Sequence, residues 1–429
     1  MQNIICDENK LELKNEILAG IINFLTCAYI SVINPMILSS AGIPEADVFL
    51  ATCLTIGITC IFIGLRTNLP IMIGPTSAIN TYFLAGITGN LGIEWHYALA
   101  DVFVSGIIIF ILAKFKLRSI INHAIPQNLT HSITFGIGIF VMMVAFSYSG
   151  IYIKANSGNI EIILNNLLIF STTVGVSHIA KNMNIPGHTV IGLLVATTLY
   201  VILEHVSIPS IVSIPHSFES SFLALNFSEI FHIKNLAAIF AITIIVLLDS
   251  NASLATLLKA LDSDASNNNC SKPMEAVGLA TFTGSLLGTS SSGIYLETLS
   301  GIGVGGKTGI TTIVAGILFF LTLLFSPLVH LIPNSATTAI LFLIACDIVK
   351  DTSFFENLKW DEMLVSILII ITIPLQFSIV DGIGVGLLSY SILKLLQKKY
   401  KEVNIYLLTL DVVFICFFLV KFLIASHRI

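Results

Sequence analysis

The amino-acid sequence predicts an all-α polytopic membrane protein. Only 10% of its 429 residues are charged and 55% are apolar, whereas a soluble domain carries about 25% charged residues. The apolar residues form blocks of roughly 18 to 24, about the length with which an α-helix crosses the hydrocarbon core of a membrane. The mean hydropathy of +0.94 agrees with this class. We therefore expect the lipid bilayer as the surroundings of the chain and no nucleic acid as a partner.

Fourteen membrane spans and one further apolar segment are predicted along the chain. In order, they lie near residues 16–38, 46–65, 68–86, 96–115, 129–148, 159–178, 186–204, 236–258, 273–288, 291–304, 309–331, 335–350, 360–378, 380–397 and 404–425. The first seven form a unit of residues 1–204, and a more polar connector follows at 205–234. The second seven form a unit of residues 235–402, and residues 403–429 hold the additional segment.

The distribution of basic residues predicts a cytoplasmic N-terminus. With that orientation, 16 of the 20 Lys and Arg residues fall on the cytoplasmic side, and the other four are Lys154, Lys234, Lys421 and Arg428. An excess of Lys and Arg in cytoplasmic loops is typical of membrane proteins. We therefore predict a multi-pass protein of the cell membrane, with an extracytoplasmic connector.

The two units of seven spans must have opposite orientations in the membrane, because seven is an odd number. Such inverted repeats are typical of many secondary transporters. The third span of each unit, near 68–86 and 291–304, is interrupted by Pro, Gly or Ser. Paired interrupted spans of this kind indicate a binding site near the middle of the bilayer.

The stretch GIGVGGKTG, Gly301 to Gly309, matches the phosphate-loop pattern G-x-x-x-x-G-K-[ST]. A phosphate loop joins a buried strand to a helix of a soluble α/β domain, but here the helix that follows is apolar on all faces and no strand-like run precedes. We therefore expect Gly301, Gly303, Gly305 and Gly306 to permit close helix packing and a tight exit from a half-helix, and Lys307 to anchor the cytoplasmic end. The sequence predicts no enzyme activity, and no Cys/His spacing indicates a metal site.

Among the acidic residues of the predicted spans, two stand out. Asp249 is in the middle of the eighth span, and Glu297 is in the interrupted tenth span. A charged side chain in the membrane costs about 2.5–3.5 kcal/mol on insertion scales, so such acids are functional candidates. We expect both to bind substrate and one of them to gain and lose a coupled proton. The alternative is a pair of protonated acids that hydrogen-bond between helices.

The interrupted third span contains Asn80 in an apolar stretch. Its amide offers a donor and an acceptor, which suits the edge of a planar heterocycle, or else it joins two helices by a hydrogen bond. Tyr82 and Phe83 can stack on a ring or simply pack. Ser250, next to Asp249, can supply a hydrogen bond to a ligand.

Other polar residues are weaker candidates. Asp381 and His131 lie at predicted span ends, where contact with water is the simpler interpretation. Asn34 and Pro35 predict a helix break in the first span.

Several motifs together resemble the nucleobase:cation symporter family related to the nucleobase–ascorbate transporters, and within it the adenine/guanine/hypoxanthine permease branch. They are NPMIL (34–38), GLRTNLPIMIGPTSAINTYF (64–83), VLLDSNASL (246–254), SSSGIYLETLSGIGVGGKTGITTIVAGILFFLTLLFSPLV (290–329) and PLQFSIVDGIGVGLLSY (374–390). The resemblance implies fourteen spans in two inverted repeats, with a core domain of spans one to four and eight to eleven and a gate domain. It also implies a proton-coupled importer, usually dimeric, with Asn80, Asp249 and Glu297 as polar substrate-binding residues.

The motifs depart from the family pattern around this expected pocket. The third span lacks two internal glycines of the pattern, and the eighth span lacks one after Ser250. Thr298 and Leu299 replace small residues after Glu297. With Thr76, Ser250 and Tyr295 as further expected pocket residues, the preferred base need not be the usual one of the branch.

The sequence thus predicts a secondary transporter that imports purine bases (adenine, guanine or hypoxanthine) by proton symport. It needs no cofactor beyond a proton or sodium gradient. The alternatives are a uracil or xanthine transporter and an anion transporter of similar fold, although two acids in the pocket disfavour a permanent anion. A channel or a receptor without transport is a rival of another kind, which non-saturable flux or binding without flux would reveal.

Overall fold

The computed structural model describes residues 2–115, 126–147, 160–208, 210–213, 218, 220–261, 271–329, 331–350, 352–356 and 358–426. Most of these residues are helical, as predicted. Of the basic residues that predict the orientation, Lys116, Arg118, Lys154 and Arg428 lie outside the described residues, as do parts of the connector 205–234.

The α-helices are α1 (Gln2–Cys27), α2 (Ile30–Ser39), α3 (Glu45–Thr67), α4 (Ser77–Tyr82), α5 (Trp95–Lys114), α6 (Gln127–Ser147), α7 (Ile160–Asn182), α8 (His188–Glu204), α9 (Ile233–Ala260), α10 (Ser271–Leu287), α11 (Leu299–Gly303), α12 (Gly309–Thr322), α13 (Ser326–Val329), α14 (Asn334–Ile348), α15 (Ser353–Glu356), α16 (Trp360–Gln376), α17 (Ile379–Leu396) and α18 (Ile405–Ser426). A π-helix (Phe83–Asn90) extends α4, and short 3₁₀ turns include Leu296–Thr298. Two short strands, β1 (Ile73–Pro75) and β2 (Ser292–Ile294), are the exception to the predicted all-α class.

Eight helical segments of the described residues are long and apolar enough to cross a membrane. They are Glu12–Ser39, Glu45–Thr67, Trp95–Lys114, Asn128–Ser147, Glu161–Asn182, Ile233–Ala260, Gly309–Val329 and Ile379–Leu396. Shorter apolar helices occur at His188–Glu204, Asn334–Ile348 and Ile405–Leu419. The chain is therefore a mostly helical polytopic membrane protein.

The first span breaks earlier than the Asn34–Pro35 pair predicts. α1 ends at Cys27, α2 begins at Ile30, and Pro35 lies inside α2. A proline removes the N–H that would bond the carbonyl one turn before it, and its ring crowds that carbonyl, so the disturbance falls on its N-terminal side. The break therefore places Tyr29 between two helices.

The two interrupted spans meet through their strands. β1 pairs antiparallel with β2, with Ile73 opposite Ile294 and Pro75 opposite Ser292. In hydrocarbon every backbone polar group needs a partner within the protein, and this pairing supplies one where each helix is interrupted. The extended backbone before Pro75 follows from the restriction that a proline imposes on the preceding residue. α4 follows β1 and the 3₁₀ turn at 296–298 follows β2, so the pairing holds the two interrupted spans together.

The glycine-rich stretch permits very close packing of α12 on α3. A Cβ atom at Gly309 would collide with the carbonyl oxygen of Gly64, and the N–H of Gly309 donates to Asn68 Oδ1 at 3.0 Å. At Gly303, in contrast, a Cβ atom would meet no other atom within 4 Å. The expected packing role is confirmed at Gly301 and Gly306, where a Cβ atom would lie 2.5 Å from Asn23 Oδ1 and 2.7 Å from the Cβ atom of Ala19, but not at Gly303.

The apolar segment 404–425 forms α18, which packs on α17 and α9. The buried ring of Phe414 lies 5.5 Å from the ring of Phe240 in α9. Asp381, in the first turn of α17, is ion-paired with Lys421 of α18 and is only 2% exposed. The expectation that Asp381 faces water is therefore wrong, because α18 covers it and supplies its counter-ion.

Replacing Lys421 with methionine should lower the melting temperature of the purified protein by several degrees, because the buried carboxylate of Asp381 would lose its counter-ion. Combining Lys421→Met with Asp381→Asn removes both charges and should recover most of the loss. Melting curves of the wild type, both single variants and the double variant in detergent measure this. Equal melting temperatures for the wild type and Lys421→Met would show that the pair adds no stability.

Candidate functional site

A cavity of about 340 Å³ lies where the strands, the break of the first span and helices α4, α6, α9, α14 and α17 meet. Its polar lining consists of Tyr29, Thr76, Ser77, Thr130, His131, Thr134, Asp249, Ser253, Thr256, Tyr295 and Glu297, and the rest of its wall is Ile, Leu and Ala. An apolar cavity with a few converging polar groups is the usual form of a small-molecule site. Of the residues that the sequence predicts for the site, Thr76, Asp249, Tyr295 and Glu297 line the cavity.

The two intramembrane acids both face this cavity. Asp249 lies within α9, and Glu297 lies in the 3₁₀ turn that follows β2. Both side chains are half-buried. β2 passes close to Asp249 because Gly293 has no side chain: a Cβ atom there would lie 3.3 Å from Asp249 Oδ2. The local fold therefore brings two carboxyl groups from different spans to one wall, where either can accept a hydrogen bond from a ligand.

Tyr29 contributes to the site although sequence reasoning missed it. Its hydroxyl donates to Glu297 Oε1 at 2.5 Å, which links the break in the first span to the interrupted tenth span. The side chain is 5% exposed. The sequence feature that could have indicated Tyr29 is its position as a hydroxylated aromatic residue shortly before the Asn34–Pro35 pair, where a helix break is predicted.

Asn80 lies outside the cavity wall and takes part in a buried hydrogen-bond network. Its Nδ2 donates to Asn34 Oδ1, and its Oδ1 accepts from the hydroxyl of Ser290. Asn34 Nδ2 in turn donates to the hydroxyls of Thr52 at 2.7 Å and Thr289 at 2.9 Å. The network joins the first, second and third spans to the segment before β2, which is the structural alternative that the sequence left open for Asn80.

Replacing Asn80 with alanine should lower the melting temperature of the protein markedly, because Asn34 and Ser290 would keep buried polar groups without partners. The KM of the protein that still folds should stay within about threefold of the wild-type value. Asn80 lies outside the cavity, so the substitution removes no contact with the substrate. Thermal melting and uptake kinetics, each normalised to the amount of protein, measure both effects. A tenfold rise in KM with an unchanged melting temperature would instead make Asn80 a binding residue.

Three other predicted residues are also buried away from the cavity wall. Tyr82 packs over Gly86, where a Cβ atom would collide with its ring, and Phe83 is 1% exposed. Ser250 is fully buried behind Asp249. The structure therefore does not bring Tyr82, Phe83 or Ser250 to the cavity.

The opposite wall of the cavity comes from α6, α14 and α17. His131 and Thr134 of α6 are exposed at the cavity, and the ring of His131 stacks on Phe354 with centroids 5.4 Å apart. Ile379 and Ile383 of α17 add apolar surface. His131 thus faces the cavity, while the described residues contain no group of His, Cys, Asp and Glu that could hold a metal ion.

The stretch that matches the phosphate-loop pattern binds the carboxylate of Glu16, a residue of the same chain. Glu16 Oε1 accepts from the backbone N–H groups of Lys307 at 2.9 Å and Thr308 at 3.0 Å. Its Oε2 accepts from the hydroxyl of Thr311 at 2.5 Å. The N-terminus of a helix attracts an anion, and at α12 the anion is Glu16. The backbone groups that would bind a phosphate are therefore already occupied.

Comparison with known proteins finds related permeases. Residues 14–385 match the model of a permease family. The adenine permease AdeQ of Escherichia coli K12 is 29% identical over 91% of this chain and 90% of its own length. The guanine/hypoxanthine permease PbuG of Bacillus subtilis 168 is 31% identical over 96% of this chain and 98% of its own.

The fold also has solved counterparts. The transmembrane domain of the cyanobacterial bicarbonate transporter BicA superposes with a TM-score of 0.68 at 15% identity, covering 87% of this chain and 97% of that one. Similarity at this level of identity indicates a shared fold only. The match over residues 14–385 establishes the family. The chain belongs to this permease family, that of the nucleobase–ascorbate transporters, and is a membrane transporter and not an enzyme.

Proposed function

We propose that the chain imports purine nucleobases across the cell membrane by proton symport. The observation that carries the proposal is the convergence of Asp249 and Glu297 on one apolar cavity, at the point where two interrupted spans pair. The substrate class is supported by the names of the relatives, an adenine permease and a guanine/hypoxanthine permease.

In the proposed mechanism, a purine lies against the two acids and donates ring or exocyclic N–H groups to them. Thr76 and Ser77 have buried hydroxyls without a described partner, and these can meet the ring nitrogens. One of the two acids takes up a proton together with the base and releases it on the other side. Hydrogen bonds from a buried substrate to charged groups contribute about 1.5–3 kcal/mol each, which makes the acids the main determinants of affinity.

Alternating access would follow from movement of one part of the chain against another. The acids belong to α9 and to the segment after β2, whereas α6, α14 and α17 form the facing wall. We propose that these parts belong to the core and gate domains of two inverted seven-span repeats, residues 1–204 and 235–402, and that α18 is an addition to them. Rocking of the core against the gate would then expose the site to each side in turn.

The proposed orientation places the N-terminus in the cytoplasm. The cavity extends from the acids to Thr256 and His131, which are exposed, and Lys259 follows Thr256 at the same end of α9. On the positive-inside rule this end is cytoplasmic. The structure then corresponds to an inward-open state, and a homodimer is the proposed assembly.

A second candidate function is anion transport, favoured by the fold shared with the bicarbonate transporter BicA. Two carboxyl groups in the cavity wall repel an anion, and no Lys or Arg lines the cavity in the described part of the chain. Uracil or xanthine as the transported base is a closer alternative, since both also present N–H groups.

Uptake of labelled adenine, guanine, hypoxanthine, xanthine and uracil by cells without base transporters of their own tests the proposal. Saturable uptake that a protonophore abolishes and that persists without sodium is the expected result. Base uptake that requires sodium would show that the coupling ion is sodium and not the proton. Uptake of bicarbonate or sulfate without uptake of any base would favour the anion transporter. ATP should not bind, because Glu16 occupies the place of a phosphate.

A further inference from the structure

The C-terminal helix α18 lies across the boundary between the two walls of the cavity. It packs on α17, whose Ile379 and Ile383 line one wall, and on α9, whose Asp249 lines the other. α18 itself contributes no residue to the described lining. It therefore contacts both parts of the chain that face each other across the cavity without belonging to the cavity wall.

The contact of α18 with α17 is charged and very close. Lys421 is ion-paired with Asp381, which is 2% exposed. In the next turn of α17, a Cβ atom at Gly384 would come within 2.5 Å of Phe414 Cδ1 and 2.8 Å of Phe418 Cε2. A buried carboxylate fixes the position of its counter-ion, because separating the two leaves a charge without a partner. α18 is therefore fastened to α17.

The described contact of α18 with α9 is made by aromatic rings. The ring centroid of Phe240 in α9 lies 5.5 Å from that of Phe414 and 5.6 Å from that of Phe417. Phe414 is fully buried, and its ring fills the space between Phe240 and Gly384. Contacts between apolar groups have no fixed direction, so rings can change neighbours more easily than an ion pair can separate. Of the two contacts of α18, the one with α9 is therefore the one that can slide.

Movement of one cavity wall against the other must change the contacts of this helix. If α17 and α9 shift relative to each other, α18 cannot keep both of its contacts unchanged, and the ion pair favours the contact with α17. Resting on the proposed function, we propose that α18 moves with the gate and that its rings slide on α9 in each transport cycle. Phe414, the wedge between the two helices, is then a positioning residue that does not touch the substrate.

Two reducible cross-links test the proposal in the full chain. Phe240→Cys with Phe417→Cys places one thiol on α9 and one on α18, whereas Asp381→Cys with Lys421→Cys places one on α17 and one on α18. Both pairs are made in a Cys416→Ser background, because Cys416 is an exposed thiol of α18. A short bifunctional methanethiosulfonate joins the thiols. Uptake of labelled base into liposomes is measured before linking, after linking and after reduction, with the single-cysteine variants as controls.

The link between α9 and α18 should lower uptake about tenfold or more, because it stops a conformational step of the cycle, and reduction should restore it. The link between α17 and α18 replaces a contact that already exists and should keep uptake within about twofold of the unlinked variant. Where linking is incomplete, Vmax should fall in proportion to the linked fraction, measured by mass spectrometry, at an unchanged KM. Uptake that survives the first link, or that both links abolish equally, would show that α18 does not move with the gate against α9.

Hydrogen exchange separates a failure of this inference from a failure of the proposed function. It needs no substrate, since local opening exposes backbone N–H groups in the free protein. The link between α9 and α18 should slow exchange in the peptides of α9 and α17 that face the cavity, and the link between α17 and α18 should not. Equal exchange with both links would overturn the inference. An absence of base uptake by the unlinked protein would instead contradict the proposed function, and hydrogen exchange would then decide the role of α18 by itself.

Discussion

Replacing Glu297 with glutamine should reduce base uptake by about 100-fold in Vmax/KM, since hydrogen bonds to charged groups contribute about 1.5–3 kcal/mol. Glutamine has nearly the same shape, but its neutral amide cannot carry a proton, and with its oxygen toward Tyr29 it turns its NH2 group, a donor, toward the substrate. The structure makes Glu297 the acceptor of the hydroxyl of Tyr29 at 2.5 Å, so the substitution affects both contacts. Uptake per molecule of expressed protein measures the loss.

Two further variants separate the role of Glu297 from that of a buried acid in general. Asp101→Asn neutralises an acid that is fully buried in α5 and hydrogen-bonded to Asn235, and it should keep uptake within about threefold because it does not touch the substrate. Tyr29→Phe removes only the donor to Glu297 and should raise KM about tenfold, the effect of a single hydrogen bond to a charged group. Normal uptake by Glu297→Gln would contradict the site that we propose.

Replacing Gly309 with alanine should prevent accumulation of folded protein in the membrane. The added Cβ atom would collide with the backbone carbonyl of Gly64, and a backbone group cannot move aside as a side chain can. Close contacts between small residues hold membrane helices together, so separating α3 from α12 removes their packing along the whole interface. The amount of monodisperse protein after detergent extraction measures the effect.

Gly303→Ala is the matched control within the same glycine-rich stretch. A Cβ atom there would meet nothing within 4 Å, so the yield and melting temperature should match the wild type. Equal yields of the two variants would therefore contradict the packing role of Gly309.

The sequence determines the class of this protein because hydropathy reports burial in lipid directly. Apolar blocks long enough to span a membrane, with 10% charged residues overall, predict the polytopic fold, and the motifs around Asp249 and Glu297 indicate the family. The same reasoning finds both acids, since a charged residue inside an apolar block stands out in any sequence.

Only the tertiary structure decides which polar residues face the cavity and which face the protein. Asn80 and Asp249 look equally exceptional in the sequence, yet Asn80 is committed to Asn34 and Ser290 while Asp249 lines the cavity. Tyr29 becomes part of the site because a break in the first span points it at Glu297, 268 residues away along the chain. Hydropathy and spacing describe one segment at a time, whereas a hydrogen bond between distant spans depends on how the helices pack, and in a membrane each buried polar group must find its partner there.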